Sequence, residues 1–390
     1  MSNQFDTKLI HAGLQQGFNE KVTGAVNPPI YLSSTYHQKE INEFGPFDYS
    51  RSGNPTREIL EKTIAQLENG YAGYAFSSGM AAISSAFLLL EAGDHVVVTK
   101  DVYGGTYRFI SQLLTSFSIS HTFVDMTNIA EIEKAIQSNT KVIYMETPAN
   151  PLLQITDIKK VVELAKANDC YTYLDNTFMT PLYQNPLDLG VDIVLHSATK
   201  FLSGHSDVVA GLAVAKTEEL AAKLKFIQNT IGSILSAQDS YTLIQGMKTL
   251  ETRLTKSSQS ALEIAKFLDE HHAIEKVYYP GLTDHPGFNV HHSQAKSGGA
   301  VLSFLLSENV DIEGFVRKLE IPVFAVSLGA VESILSHPAT MSHAAMPPHE
   351  RKERGIEDRL FRLSVGIENV DDLIKDLNQS FQQSKLSLPL

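Results

Sequence analysis

Three segments of the chain carry residues that could do chemistry, and each one follows a predicted strand. Ser78-Gly79-Met80 joins a strand to a helix through small residues, and the N–H groups at such a helix start can bind phosphate. Asp175 follows a buried apolar strand, where a carboxylate is costly unless it meets a cation. Lys200 closes Ser197-Ala198-Thr199-Lys200 after the next strand, and a buried lysine can supply an unprotonated amine.

Each feature alone has an ordinary explanation: a capped helix start, an exposed loop aspartate and a solvated lysine. In an open α/β sheet, however, ligands bind at the carboxyl ends of the strands. A phosphate cup, an acid and a lysine at one sheet edge are what pyridoxal 5'-phosphate (PLP) requires, because the lysine forms a Schiff base and the acid pairs with the pyridinium nitrogen. No Gly-x-Gly-x-x-Gly or Gly-Lys-Ser/Thr motif occurs, which disfavours a dinucleotide or P-loop site.

Short β-branched or aromatic runs alternate with helical stretches through the first half of the chain, which predicts a mostly parallel, doubly wound sheet. The predicted strands are Tyr74–Ser77, His95–Thr99, Ser120–Val124, Lys141–Glu146, Tyr171–Leu174, Ile193–His196 and Val209–Ala215. The predicted helices are Asn54–Leu67, Met80–Leu90, Thr106–Phe117, Ile129–Gln137 and Ile155–Asn168.

The second half predicts a smaller C-terminal α/β domain, joined to the first by a long helix around Leu243–Phe267. Helical patterns cover Glu218–Asn229, Ser236–Asp269, Ile312–Leu319 and Asp371–Gln382. Short strands are predicted at Ile274–Tyr279, Ala300–Leu306, Val323–Val326 and Arg359–Val365.

Composition excludes several classes of protein. The 390 residues have a formal net charge of −12, which argues against nucleic acid or an anionic membrane as the main partner. Cys170 is the only cysteine, so neither an intrachain disulfide nor a cysteine metal cluster can form. No metal site is expected, because His271-His272 and His291-His292 are adjacent rather than at ligand spacing. Met1–Asp6 is polar and the apolar runs are too short to span a bilayer, so we expect a soluble cytoplasmic protein.

The segment from Ser197 to Asp207 resembles the lysine signature of the Cys/Met-metabolism PLP enzyme family, and the resemblance covers essentially the whole chain. Further matching stretches are Tyr49–Thr56, Ser78–Ala82, Asp101–Thr106, Glu146–Pro151, Asp175–Phe178, Ser327–Ser333 and Arg362–Gly366. The resemblance implies an α/β PLP-dependent transferase fold of the aspartate-aminotransferase type (fold type I). It also implies an arm over residues 1–55 that contacts the neighbouring subunit, a PLP-binding domain over 56–250 and a C-terminal domain over 251–390. The implied assembly is a homotetramer built from dimers with shared active sites.

The resemblance also implies a role for each residue that contacts the cofactor. Lys200 would carry PLP and move the substrate protons, and Tyr103 would stack on the ring and could act as a general acid. Asp175 would pair with the pyridinium nitrogen. The phosphate would be held by Gly79, Met80, Ser197 and Thr199, together with Tyr49 and Arg51 from the neighbouring subunit.

For the substrate, the resemblance places the α-carboxylate on Arg362, Asn150 and Ser333. A planar guanidinium suits that bidentate contact. Glu332 would receive the distal ammonium of a long dipolar amino acid, and Arg108 would bind its far carboxylate.

Within the family, three features favour cystathionine γ-lyase: Glu332, Gly105 where methionine γ-lyases have cysteine, and Ser52-Gly53 where some synthases have arginine. We therefore expect cystathionine to yield cysteine, 2-oxobutanoate and ammonia, with side activity on homocysteine or cysteine that releases hydrogen sulfide. The alternatives are cystathionine γ-synthase, cystathionine β-lyase and a catalytically silent PLP-binding protein. Val326 stands where many relatives have glutamate.

Overall fold

Seven strands form the larger of two sheets in the computed structural model, which describes residues 4–14, 25–344 and 346–386. The strands are β1 (Ala72–Phe76), β2 (His95–Thr99), β3 (Ser120–Val124), β4 (Thr140–Glu146), β5 (Tyr171–Asp175), β6 (Ile193–Ser197) and β7 (Gly211–Ala215). Their order is β1-β7-β6-β5-β4-β2-β3. Only β7 runs in the direction opposite to the other six strands, so the predicted, mostly parallel sheet is confirmed.

Helices cover both faces of this sheet, so most residues of its central strands are buried. The helices of this part are α1 (Phe5–His11), α2 (Pro55–Leu67), α3 (Gly79–Phe87), α4 (Gly104–Arg108), α5 (Ile129–Ala135), α6 (Ile158–Ala167), α7 (Thr180–Tyr183) and α8 (Glu218–Ile231). One core lies between the sheet and α2 and α6, and a second lies between the sheet and α3 and α8. Residues on β2 alternate between the two cores, as strand geometry requires.

The Asn54 side chain accepts hydrogen bonds from the N–H groups of Thr56 and Arg57 and so starts α2, with Pro55 in the first helical position. The predicted helix Thr106–Phe117 is irregular: after α4 the chain makes a π turn at Phe109–Leu113 and a 3₁₀ turn at Leu114–Phe117. The short helix α1 was not predicted. Of the predicted arm over residues 1–55, residues 1–3 and 15–24 lie outside the described part.

The prediction of one continuous helix around Leu243–Phe267 is wrong, because two helices occupy this stretch. They are α9 (Ala237–Met247) and α10 (Leu250–Asp269). Arg253 in α10 donates hydrogen bonds to the Gly246 carbonyl (2.8 Å) and the Thr249 hydroxyl (2.9 Å), which stabilises the break. A third bond, 3.0 Å to the Phe201 carbonyl, ties this junction to the loop that carries Lys200.

The second sheet contains five strands in the order β10-β11-β12-β9-β8. They are β8 (Ile274–Tyr278), β9 (Val301–Leu306), β10 (Val323–Phe324), β11 (Ile334–Ser336) and β12 (Leu360–Ser364). The short strand β11 was missed by the sequence analysis. The accompanying helices are α11 (Phe288–Gln294), α12 (Ile312–Lys318), α13 (Pro348–Glu353) and α14 (Val370–Gln383). The core of this region is rich in phenylalanine, with Phe315 and Phe381 stacked at 5.0 Å.

Within the described ranges, no helix is both long and apolar enough to cross a membrane.

Candidate active site

A cavity of about 560 Å³ opens where the carboxyl ends of β4, β5 and β6 meet the start of α3 and the second sheet. The predicted site residues that line it are Gly79, Met80, Tyr103, Arg108, Asn150, Asp175, Ser197, Thr199, Lys200 and Arg362. Four other predicted residues, Tyr49, Arg51, Glu332 and Ser333, do not line this cavity. The strand ends therefore bring together the lysine, the acid and the small-residue helix start.

The start of α3 supplies backbone donors at one end of the cavity. The Ser78 side chain accepts the Ala81 N–H at 3.0 Å, while the Gly79 and Met80 N–H groups belong to the first turn, which lacks intrahelical partners. A side chain at Gly79 would place its Cβ 2.9 Å from the Ser197 Cβ, so glycine lets the helix approach β6 closely. This arrangement of N–H groups and nearby hydroxyls suits a phosphate.

Asp175 ends β5 and faces the cavity. One carboxyl oxygen accepts the Thr177 N–H at 2.9 Å. Burial raises the pKa of Asp175, although the Thr177 hydrogen bonds and the nearby His196 oppose that rise. A cation at this position would stabilise the ionised carboxylate, as the pyridinium nitrogen of PLP would.

Lys200 lies in the loop after β6, and its Nζ donates to the Ser327 hydroxyl at 2.6 Å. Burial, with a smaller contribution from the charge of Arg362, lowers the pKa of Lys200 to about 8. About a tenth of the amine is therefore unprotonated at pH 7 and about half near pH 8, far more than in an ordinary lysine, which suits a residue that forms imines and accepts protons.

Arg362 reaches the cavity from β12 and is almost fully buried. Its guanidinium donates to Asn150 Oδ1 at 2.8 Å and to the Ser327 carbonyl at 2.7 Å. The third nitrogen, Nε, is buried and finds no acceptor among the described residues. Burial also lowers the pKa of Arg362 to about 10. A fixed, under-satisfied guanidinium of this kind is suited to a carboxylate.

Tyr103 precedes α4 and is 46% exposed. Its N–H donates to both carboxyl oxygens of Glu146 at 3.1 Å, and Glu146 ends β4. The tyrosine is thus fixed through its backbone while its ring stays open to the cavity.

Tyr49 and Arg51 lie on the surface, away from this chain's cavity. The Arg51 guanidinium donates to the Asn229 carbonyl at 2.7 Å and lies 5.5 Å from the centre of the Tyr49 ring. A contact of these two residues with a phosphate in another subunit stays a prediction.

The structure places Ser333 and Glu332 outside the positions assigned to them from the resemblance. The Ser333 hydroxyl donates to Glu368 at 2.9 Å and accepts the Gly366 N–H at 2.9 Å, so it is fully used inside the protein. Glu332 is exposed and lines a neighbouring cavity of about 610 Å³. The Ser333 hydroxyl proton is therefore not available to a carboxylate on Arg362, and Glu332 as the receiver of a distal ammonium stays a prediction.

Among the cavity residues that the sequence analysis did not predict, Ser327 and Glu146 bind predicted site residues directly. Ser327 adopts a left-handed backbone (φ +88°) that brings both its hydroxyl and its carbonyl into the site. It stands in the quoted stretch Ser327–Ser333, but nothing in that stretch reveals which of its serines faces the lysine. Glu146 ends a buried strand, which is the same signal that identified Asp175.

The residues present fit PLP. The α3 start and the hydroxyls of Ser197 and Thr199 can hold its phosphate, Asp175 its ring nitrogen and Lys200 its aldehyde carbon. The Arg362 Nε, which has no partner among the described residues, can donate to the carboxylate of an amino acid bound beside PLP. The family model described as Cys/Met metabolism PLP-dependent enzyme matches residues 6–382.

The chain belongs to this Cys/Met metabolism PLP-dependent enzyme family.

Individual members of the family are similar over nearly the whole chain. The chain is 60% identical over 378 residues to the cystathionine beta-lyase MetC of Bacillus subtilis (strain 168), covering 97% of this chain and 96% of the relative. It is 48% identical to the cystathionine gamma-lyase of the same organism, covering 96% and 98%.

A solved structure, the cystathionine gamma-lyase from Lactobacillus plantarum complexed with L-serine, matches with a TM-score of 0.95 at 48% identity, covering 98% of this chain and 99% of that chain. The 390-residue chain is thus a PLP-dependent carbon–sulfur lyase, and the predicted fold class and cofactor are confirmed.

Proposed function

We propose that the chain cleaves L-cystathionine on the β-carbon side of sulfur, with water, to homocysteine, pyruvate and ammonia. The observation that supports lyase chemistry on an α-amino acid is that Lys200 and Arg362 both donate hydrogen bonds to the same residue, Ser327. Lys200 Nζ contacts the Ser327 hydroxyl and the Arg362 guanidinium contacts the Ser327 carbonyl. A substrate carboxylate on Arg362 would thus present its Cα–H to the lysine amine.

The chain's own residues then divide the work. Arg362, held by Asn150, binds and orients the carboxylate, and Lys200 accepts the Cα proton. PLP, when bound, supplies the electron sink that stabilises negative charge at Cα. Lys200 or the Tyr103 phenol then donates a proton to the departing sulfur, so that the thiol leaves neutral.

The choice of the β bond is supported by two observations. Identity is 60% to the beta-lyase of B. subtilis and 48% to the gamma-lyase of the same organism. In addition, the apolar Val326 lines the cavity, whereas Glu332 lies outside it. Glu332, one of the three sequence features behind the expectation of γ-cleavage, therefore gains no support from the lining of this cavity.

Cystathionine γ-lyase remains the second candidate, because the chain is 48% identical both to the gamma-lyase of B. subtilis and to the solved gamma-lyase. The two reactions are separated by their products. Incubation with L-cystathionine should release pyruvate and homocysteine as the dominant pair, with Lys200→Ala as the inactive control. Dominant 2-oxobutanoate and cysteine would instead establish γ-cleavage.

We also propose that residues 25–53 pack against a second copy of the chain and complete its site. This segment exposes Leu32 (76%), Ile41 (90%) and Phe44 (69%) in the single chain. An apolar segment of this kind favours burial against a partner. Light scattering of the holoenzyme should therefore show an oligomer, and a monomer would exclude the shared site.

A further inference from the structure

Glu146 and Asp175 end neighbouring parallel strands at the same level of the sheet. They are direct register partners on β4 and β5, and adjacent strands are about 4.8 Å apart. Register partners project to the same face, and both carboxyl groups line the active-site cavity. Two acids thus lie side by side at the edge of the cavity, where Asp175 would meet a cationic ring nitrogen.

The surroundings of the two acids differ. Both oxygens of Glu146 accept the Tyr103 N–H, and one also accepts the Tyr144 hydroxyl at 3.4 Å. The buried Asp101 adds a further negative group near Glu146. No ion pair among the described residues includes Glu146. Asp175, by contrast, receives the Thr177 N–H and lies near His196 on β6.

Two carboxylates in one buried site cannot both ionise cheaply, so the pKa of one must rise strongly. Burial, and next the charge of Asp175, raise the pKa of Glu146 well above its ordinary value. The rise at Asp175 is opposed by Thr177 and His196, and a pyridinium nitrogen would oppose it further.

We propose that Glu146 is a positioning residue that carries a proton, while Asp175 carries the single negative charge that faces the PLP ring. The neutral Glu146 carboxyl accepts the Tyr103 N–H and fixes that tyrosine over the cavity. It does so without placing a second negative charge beside the pyridinium pair. This inference depends on the PLP site and not on which carbon–sulfur bond is cleaved.

The test compares Glu146→Gln with Asp175→Asn, because each replaces a carboxyl by an amide of equal size. The amide introduced by Glu146→Gln stays neutral, and its oxygen can still accept the Tyr103 N–H. We expect the dissociation constant for PLP, measured by absorbance on the reconstituted protein, to stay within about threefold of wild type in Glu146→Gln. It should weaken at least about tenfold in Asp175→Asn, which loses a charge-assisted contact. Equal weakening in both variants would overturn the proposal.

A second readout separates a protonated carboxyl from a merely structural one. A raised pKa in the folded state means that the folded protein binds the proton more tightly than the unfolded chain, so stability falls as pH rises above the unfolded pKa. Glutamine does not titrate. The melting temperature of the Glu146→Gln holoenzyme should therefore increase relative to that of wild type as pH rises. A difference in melting temperature that does not vary with pH would contradict the proposal.

If Glu146→Gln does not fold, the wild-type holoenzyme alone decides the question. Its infrared spectrum at about pH 8 should contain the carbonyl band of a protonated carboxyl, since free carboxyls are ionised there. The band should persist in Asp101→Asn, which removes the other buried acid nearby. Absence of the band in wild type would refute a protonated Glu146.

Discussion

Asp101 is a buried carboxyl that destabilises the protein at neutral pH. It lies between β2 and Tyr103 and is 3% exposed, and neither carboxyl oxygen has a hydrogen-bond partner among the described residues. Burial raises the pKa of Asp101 from 3.8 to about 6, and Asp125 adds to the rise. The cations Lys100 and Arg354 oppose it only in part.

The sign and size of the effect follow from linkage. Below the unfolded pKa both states are protonated and Asp101 costs nothing; above the folded pKa the full penalty applies. A rise of roughly two pKa units at about 1.36 kcal/mol each corresponds to about 3 kcal/mol at alkaline pH. For a chain of this length that unfolds as one unit, this is a change in melting temperature of about 4 °C.

Asp101→Asn removes the charge and should raise the melting temperature accordingly. The assay is thermal unfolding of wild-type and variant holoenzyme, with saturating PLP, from about pH 4 to about pH 8. The two curves should coincide at the acid end, diverge between about pH 4 and pH 6, and stay parallel above that range.

Asp125→Asn is the matched control with the opposite sign. Burial raises the pKa of Asp125, but hydrogen bonds from Lys100 (2.6 Å) and Thr127 outweigh burial and bring this pKa below its ordinary value. Loss of this carboxylate should therefore lower the melting temperature at neutral pH. An Asp101→Asn protein that gains no stability as pH rises would refute the reasoning.

Further predictions concern the reaction. Arg362→Lys loses the planar double contact, and kcat/KM for cystathionine should fall about 10- to 150-fold with PLP absorbance unchanged; a smaller loss would argue against carboxylate binding there. Borohydride should fix PLP on the peptide containing Lys200, and Lys200→Ala should lose turnover while it still binds the cofactor; retained turnover would contradict its role. Mixed subunits of Tyr49→Ala and Lys200→Ala should regain activity if sites are shared, and confirmed hybrids without activity would place both residues in one chain's site. Val326→Glu should increase the 2-oxobutanoate fraction from cystathionine, whereas Glu332→Ala should leave kcat/KM within about twofold; the reverse pattern would restore Glu332 as the substrate contact.

The large sheet could be predicted because its strands are short apolar runs separated by helical patterns. β2 was predicted with its observed bounds, His95–Thr99. The break between α9 and α10 was missed, because the only local signal is Gly246, a poor helix former that still lies inside α9. That break depends on the tertiary hydrogen bonds of Arg253, which have no local signature.

The residues of the candidate site also fall into those that the local sequence predicts and those that it does not. Asp175 and Lys200 were predicted from strand ends alone, because parallel strands bring their carboxyl ends to one edge. Arg362 was predicted only through the family resemblance, since a buried arginine on a second sheet has no marker in the local sequence. Choosing Ser333 instead of Ser327 reflects the same limit: the decisive feature is a left-handed φ of +88°.

Ser327 links the proposed carboxylate site to the proposed base. Its carbonyl fixes the Arg362 guanidinium and its hydroxyl accepts from Lys200, so the two cations are held close together. The positive charge of Arg362 contributes to the lowered pKa of Lys200. A substrate carboxylate on Arg362 would neutralise that charge and so raise the proton affinity of the lysine amine. A larger fraction of Lys200 is therefore unprotonated before the substrate binds than in an ordinary lysine, and the amine would become a stronger base once the Cα–H is in place.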